Sequence, residues 1–305
     1  MKCLFLSTST LETNKYAESF RDGVPGSVVD FYRYDEDGYS DAKAYAATKE
    51  FAPDVIVYVG SRWGRQISTS TLAHITGRIA PMIHLCSDAA DPPWHDLLRE
   101  YDSRGAFALQ VAIDGNDQWP GASSGLTLLT PIAASHFPAE PKPHVERTIA
   151  CGYAGNPGNP MGRRRTILFE LMSRNVLTLR MRVDSPGSYD QMCAFLSDAR
   201  MSLNIPFSGT ETTTQVKGRV IETGLAGGFL MEGKGAPTRK WFSPGVDFFE
   251  YDDIGAALLM IEHYSKCPDI TEQIGANLRR RVLAEHSPAI FWGKVLDRIG
   301  MKAAA

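Results

Sequence analysis

Short apolar runs recur along this chain with helical segments between them, and the clearest, Asp54 to Val59 (DVIVYV), is apolar at almost every position. A strand that is apolar on both faces must be covered on both, as in a parallel sheet flanked by helices. Similar runs lie at Lys2 to Leu6, Val28 to Tyr32, Ala80 to Leu85, Ala106 to Ile113 and Leu126 to Leu129, with helical stretches at Asn14 to Arg21 and Tyr39 to Glu50. The segment His136 to His144 (HFPAEPKPH) interrupts the rhythm, because its three prolines remove backbone donors and disfavour helix and central strand alike. Beyond it the alternation resumes. Strands are expected at Arg147 to Tyr153, Val176 to Arg182, Met201 to Pro206 and Phe229 to Glu232, with helices at Arg163 to Ser173, Tyr189 to Asp198, Thr214 to Ala226 and Asp253 to His263. Two Arg-rich helical segments follow, broken at Ser287-Pro288. A chain of 305 residues also exceeds what one core usually serves. The fold class is therefore α/β: two Rossmann-like, doubly wound parallel-sheet domains facing a cleft, at residues 1–140 and 146–286, with a C-terminal helix in 287–305.

Composition narrows the function classes. Apolar residues make up 43% and charged residues 22%, an ordinary globular balance. Lys and Arg total 32 against 35 Asp and Glu, a net charge of -3, so no global positive field favours wrapping a nucleic acid and any anion site must be local. The five cysteines show no CxxC pair, which argues against structural zinc and a disulfide framework; Cys3, Cys86 and Cys151 read as core thiols. The first apolar run is too short for a signal peptide and no window is apolar over about eighteen residues. The expected compartment is the cytoplasm, with membrane contact only peripheral.

Three segments could carry chemistry. Ser208 to Gly228 follows a strand, and a helix starting near Thr213 or Thr214 would offer hydroxyl caps and backbone N–H groups to an anion such as diphosphate. Lys217 and Arg219 would add charge-assisted hydrogen bonds, and Glu222 would accept from ribose hydroxyls. The plain alternative is a capped helix with a surface Arg219–Glu222 pair. The second segment, Gly152 to Arg165, brings Gly155 and Arg163 between a strand and a helix. Arginines at a helix start oppose the dipole unless an anion is present, although the spacing fits no nucleotide fingerprint and an ordinary turn serves Asn156 to Pro160 as well. The third, His84 to Asp91, presents His84 or Asp88 as a base, against the reading of a core histidine and a turn aspartate. Trp63 in GSRWGR could stack on a sugar or simply pack, and the hydroxyls of Ser7 to Thr10 form a loop after the first strand.

From Val216 to about Arg298, in KGRVIETGLAGGFLMEG, FSPGVDFFEYDD and IGANLRRRVLAEHSPAIFWGKVL, the chain resembles the C-terminal part of the glycosyltransferase group 1 families, most closely the spore-maturation CgeB type. The resemblance implies the two-Rossmann-domain GT-B fold, a last helix that returns toward the N-terminal domain, and a nucleoside-diphosphate sugar as donor, with no cofactor and no required metal. It also implies that Glu222 holds ribose and that Arg219 with Lys217 meets phosphate. These families often carry a further Glu where this chain has Thr214, which puts contact with the transferred sugar in doubt. The implied activity is transfer of a sugar to an unidentified hydroxyl acceptor, with Asp88 as base if the reaction inverts. The alternatives are a noncatalytic nucleotide-sugar-binding or assembly protein, or an epimerase or phosphorylase on the same scaffold.

Overall fold

Each expected apolar run forms a strand. The computed structural model describes residues 1–8, 11–60, 66–159, 161–181 and 188–302; Ser9, Thr10, Trp63, Pro160 and the terminal alanines 303–305 lie outside them. The chain divides into two units, Met1–Ala133 with Ser287–Ala305, and Ala134–His286. Residues 134–140, placed with the first domain on sequence, group with the second.

In the first unit β1 (Lys2–Ser7), α1 (Leu11–Gly23), β2 (Val28–Arg33), α2 (Asp41–Phe51), β3 (Val55–Val59), α3 (Thr69–Arg78), β4 (Met82–Cys86), α4 (His95–Ser103), β5 (Leu109–Ala112) and β6 (Leu126–Thr127) follow one another. The sheet runs β2-β1-β3-β4-β5-β6 with every pair parallel. All of β3, β4 and β5 is buried, as central strands of a sheet covered on both faces must be, and His84 of β4 and Gln110 of β5 are buried with them.

The second unit holds β7 (Ile149–Gly155), α5 (Arg163–Ser173), β8 (Thr178–Met181), α6 (Ser188–Asp198), β9 (Ala199–Asn204), α7 (Gly218–Leu225), β10 (Phe229–Gly233), β11 (Phe249–Tyr251), α8 (Ile254–Tyr264) and α9 (Pro268–Glu285). Its strands lie in the order β11-β10-β9-β7-β8, again all parallel. The acidic patch before α8 is a helix cap, since the Asp253 side chain accepts from Ala256 N–H at 2.8 Å. The proline-rich segment is pinned within this unit. His144 bonds Thr271 at 2.9 Å and the Gly227 carbonyl at 2.8 Å, and Arg147 donates to the carbonyls of Ala199 and Ala226, each at 2.8 Å.

Pro288 breaks the terminal helical run, and α10 (Pro288–Arg298) packs in the first unit. Its buried residues Phe291, Trp292, Val295 and Leu296 form one stripe, and Trp292 meets Phe20 of α1 edge-on at 4.8 Å while its Nε1 donates to Ser19 at 2.9 Å. The helices come so close that a Cβ on Gly23 would lie 2.6 Å from the Pro288 carbonyl oxygen.

Candidate functional site

In an open parallel sheet, ligands bind beyond the carboxyl ends of the strands, where the strand order reverses. The reversal in the second unit lies between β7 and β9, which pair in parallel while β8 sits on the other side of β7. Arg219, near the start of α7, spans this point. Its Nε donates to the carbonyl of Ala154 at the end of β7, and its Nη1 donates to Oδ1 of Asn204, the last residue of β9, at 2.7 Å. The guanidinium lies over the Tyr153 ring with 4.0 Å to the centroid. Gly155 closes β7 with φ at 142°, and a Cβ there would collide with the Arg219 Nη2. The positive φ favours glycine at this position, and the guanidinium lies close against it. Arg219 is only half-buried, and the N–H groups of Nη2 and the second one of Nη1 meet no acceptor among the described residues.

Behind Arg219 stands a pair that sequence reasoning missed. Glu232 on β10 is fully buried. Asn204 Nδ2 donates to both of its carboxylate oxygens at 2.9 Å and Thr238 Oγ1 donates to one at 2.9 Å. Burial pushes the Glu232 carboxyl up to about 7, against the opposing pull of these hydrogen bonds and of Arg219. The signal was present: an acid inside the run Phe229–Gly233, and an asparagine at the buried end of β9. Tyr251 Oη donates to the Asn204 carbonyl at 2.8 Å and fixes that strand end from β11.

Glu222 lies on α7 one turn after Arg219. It is buried, and its Oε1 accepts from the Tyr189 hydroxyl at 3.1 Å. Tyr189 in turn packs edge-on against His136, with 4.8 Å between ring centres. Lys217 is the residue that opens α7, half-buried and extended in its backbone.

The expected helix start at Thr213 or Thr214 is corrected. Phe207 and Thr214 form an antiparallel bridge, Ser208 N–H donates to the Thr213 carbonyl at 2.9 Å, and Gln215 N–H donates to the Pro206 carbonyl at 2.9 Å. This hairpin consumes the backbone that would have extended the helix, which begins only at Gly218. The Thr214 hydroxyl donates to the Gly235 carbonyl at 2.9 Å, so neither threonine caps α7.

The arginines at the start of α5 also have another explanation. Arg163 lays its guanidinium over the Phe207 ring at 4.2 Å, and Arg164 donates to the carbonyls of Phe207 and Ser208. The anion at this helix start is the carboxylate of Glu211, which accepts from the backbone N–H groups of Arg163 and Arg164.

Gly155 ends β7, Lys217 and Arg219 stand at the start of α7 with Glu222 one turn further along it, Arg163 opens α5, and Thr213 and Thr214 lie in the loop between β9 and α7. Asp88 belongs to the first unit, in the turn after β4, with φ at 61° and its carbonyl accepting from Asp91 N–H at 2.9 Å. His84, beside it in sequence, is a core residue: it is fully buried, stacked on Phe107 at 4.7 Å, and held neutral by burial.

A concavity of about 710 Å³ elsewhere in the second unit is lined by Lys142, His144, Arg147, Glu272, Arg279 and Arg280. It sits by the amino ends of β9 and β10, and Arg147 and Arg279 are spent there on backbone carbonyls. The strand-order rule and the open donors of Arg219 favour the opposite end of the sheet.

Among the described residues, no group of three or more His, Cys, Asp or Glu is placed to hold a metal ion, and no helix is long and apolar enough to cross a membrane. Four cysteines are buried and Cys267 is partly so, all as free thiols; burial pushes the Cys151 thiol up to about 12.

Comparison with known proteins agrees with the sheet topology. Residues 160–297 match the family described as glycosyl transferase-like. No curated protein matches the sequence. Among solved structures, Anabaena Alr3699/HepE in complex with UDP and glucose is similar at 13% identity and a TM-score of 0.63, over 98% of this chain and 99% of that one. Sucrose-phosphate synthase from Thermosynechococcus elongatus is similar at 11% identity and 0.63, with the same coverage. An alpha-glucosyltransferase in complex with UDP and a 13-mer DNA is similar at 10% identity and 0.68, again over 98% and 99%. The two parallel sheets with alternating helices are those of the GT-B fold.

Proposed function

We propose that this chain is a glycosyltransferase that moves a sugar from a nucleoside diphosphate to a hydroxyl acceptor, with the donor held by the Ala134–His286 unit. The observation that carries this reading is Arg219, anchored to the ends of both switch-point strands with part of its fork left open. A guanidinium held in that way can bond two phosphate oxygens without reorganising. Similar folds solved with UDP and with UDP-glucose support a nucleoside diphosphate as the ligand.

The chemistry asked of the site is electrostatic. As the bond between the sugar and the diphosphate breaks, negative charge builds on the bridging oxygen, and Arg219 with Lys217 stabilises it. Removal of a single such donor in an enzyme site costs about 10²- to 10³-fold in turnover. Glu222, oriented by Tyr189, grips the vicinal hydroxyls of the ribose. In this reading protein cations meet the diphosphate and no metal is assigned a role, so turnover should survive a chelator. The finer placement with the CgeB type rests on the string of motifs from Val216 to Arg298, and Asp88 serves as base only in an inverting reaction.

The test is release of nucleoside diphosphate from UDP-glucose, GDP-mannose and ADP-glucose with and without a panel of hydroxyl acceptors, in the presence of EDTA. Acceptor-dependent release supports transfer. Donor binding with no release on any acceptor would favour a noncatalytic binding protein, the reading to which Thr214 in place of a glutamate points.

A further inference from the structure

Glu232 and Arg219 are opposite charges separated by one amide. Asn204 gives its Nδ2 to the carboxylate and takes the Arg219 Nη1 on its Oδ1. The carboxylate is otherwise held by neutral donors, the Thr238 hydroxyl and the Gly233 backbone N–H, and no ion pair reaches it among the described residues. The groups packed around it do little to neutralise it. Tyr251 faces it from β11 and Tyr153 stands near Arg219 on β7. Glu250, beside it in register on β11, is taken by Arg239, and Lys234 at the end of β10 pairs with Asp252. The ionised form of this buried carboxyl is favoured by the hydrogen bonds from Asn204 and Thr238 and, after them, by the positive charge beyond Asn204.

We infer that Glu232 takes up a proton as the diphosphate of the donor reaches Arg219. The inference rests on the donor reading above. A diphosphate places like charge on the far side of the guanidinium and claims the attraction that favoured the ionised carboxylate. The protonated carboxyl still offers an oxygen that accepts from Asn204 Nδ2, and the buried charge is gone. Because burial already holds this carboxyl at about 7, the proton is within reach at neutral pH. The balance is simple: one proton passes from solvent to a Glu232 oxygen, no other bond changes, and donor affinity weakens as pH rises.

The test is calorimetric titration of the full chain at pH 7 with UDP-glucose, GDP-mannose and ADP-glucose, continued with the tightest binder in two buffers of different ionisation enthalpy. In these esters neither phosphate titrates near pH 7, so the ligand contributes no proton of its own. The wild type should take up about half a proton per site and lose up to about tenfold in affinity between pH 6 and pH 8. Glu232→Gln should abolish both effects. Thr238→Val, which keeps the carboxyl and removes one bond to its ionised form, should move the midpoint of the affinity curve to higher pH, and it decides the matter if the first variant fails to fold. Binding with no proton uptake, or with the same uptake in Glu232→Gln, overturns the inference and leaves the donor reading standing. Absence of binding by all three sugars overturns the donor reading, and this inference with it.

Discussion

Glu211 accepts a hydrogen bond from the backbone N–H of Arg163 at 2.7 Å, so the anion at the start of α5 comes from the protein itself. The second oxygen accepts from Arg164 N–H at 3.2 Å. Glu211 does this from φ at 61°, a left-handed conformation that costs a non-glycine residue roughly 1–2 kcal/mol. Glu211→Ala should lose the cap and destabilise by about 0.5–2 kcal/mol. Glu211→Gly loses the same cap but relieves the backbone, and should be more stable than the alanine variant by roughly 1 kcal/mol. Urea denaturation measures both. Equal losses would mean that no strain is held at position 211.

Acid should expose His84. Burial lowers its pKa from 6.5 to about 3, so the folded protein prefers the neutral ring. A depressed basic group contributes stability that is present above pH 6.5 and drains away as pH falls toward 3. His84→Phe, which keeps a ring among Phe107, Tyr101 and Trp94, should lose less stability between pH 6.5 and 4 than the wild type does. Identical acid limbs in denaturant titrations would remove His84 as a contributor.

Trp292 closes the first unit from its distant end of the sequence. Trp292→Ala should cost about 3–5 kcal/mol through the cavity left beside Phe20 and the lost partner of Ser19. Gly23→Ala should also destabilise, because its new methyl meets the Pro288 backbone. Thermal unfolding with little change for either variant would show that α10 is not integral to the unit.

Glu222 and Tyr189 should act on ribose alone. A carboxylate can accept from two vicinal hydroxyls whereas a Gln amide keeps one acceptor oxygen. Glu222→Gln should therefore erase most of the preference for a ribonucleoside diphosphate over its 2′-deoxy form, and Tyr189→Phe should reduce it by freeing the carboxylate it steadies. An unchanged ribo-to-deoxy ratio in Glu222→Gln would exclude ribose contact.

Much of this was legible in the sequence because periodicity reports burial. DVIVYV became the fully buried β3, and Arg163 to Ser173 became α5 over the same residues. Arg219 and Gly155, chosen separately, proved to touch. What escaped were choices made by long-range partners. The hairpin of Phe207 with Thr214 overrode a plausible helix start, and Glu211 reached across 48 residues to satisfy a helix that sequence alone assigned to a ligand. Glu232 escaped because its meaning lies in Asn204 and Thr238, residues that no local pattern links to it.

The central claim is that Arg219 binds phosphate at the switch point of the second unit. Calorimetry of Arg219→Ala against UDP, GDP and ADP, each beside its bare nucleoside, tests it most directly. Loss of a charge-assisted hydrogen bond costs about 1.5–3 kcal/mol, so affinity for the bound diphosphate should fall roughly 10- to 150-fold while affinity for its nucleoside barely moves. Equal losses for diphosphate and nucleoside would contradict the account.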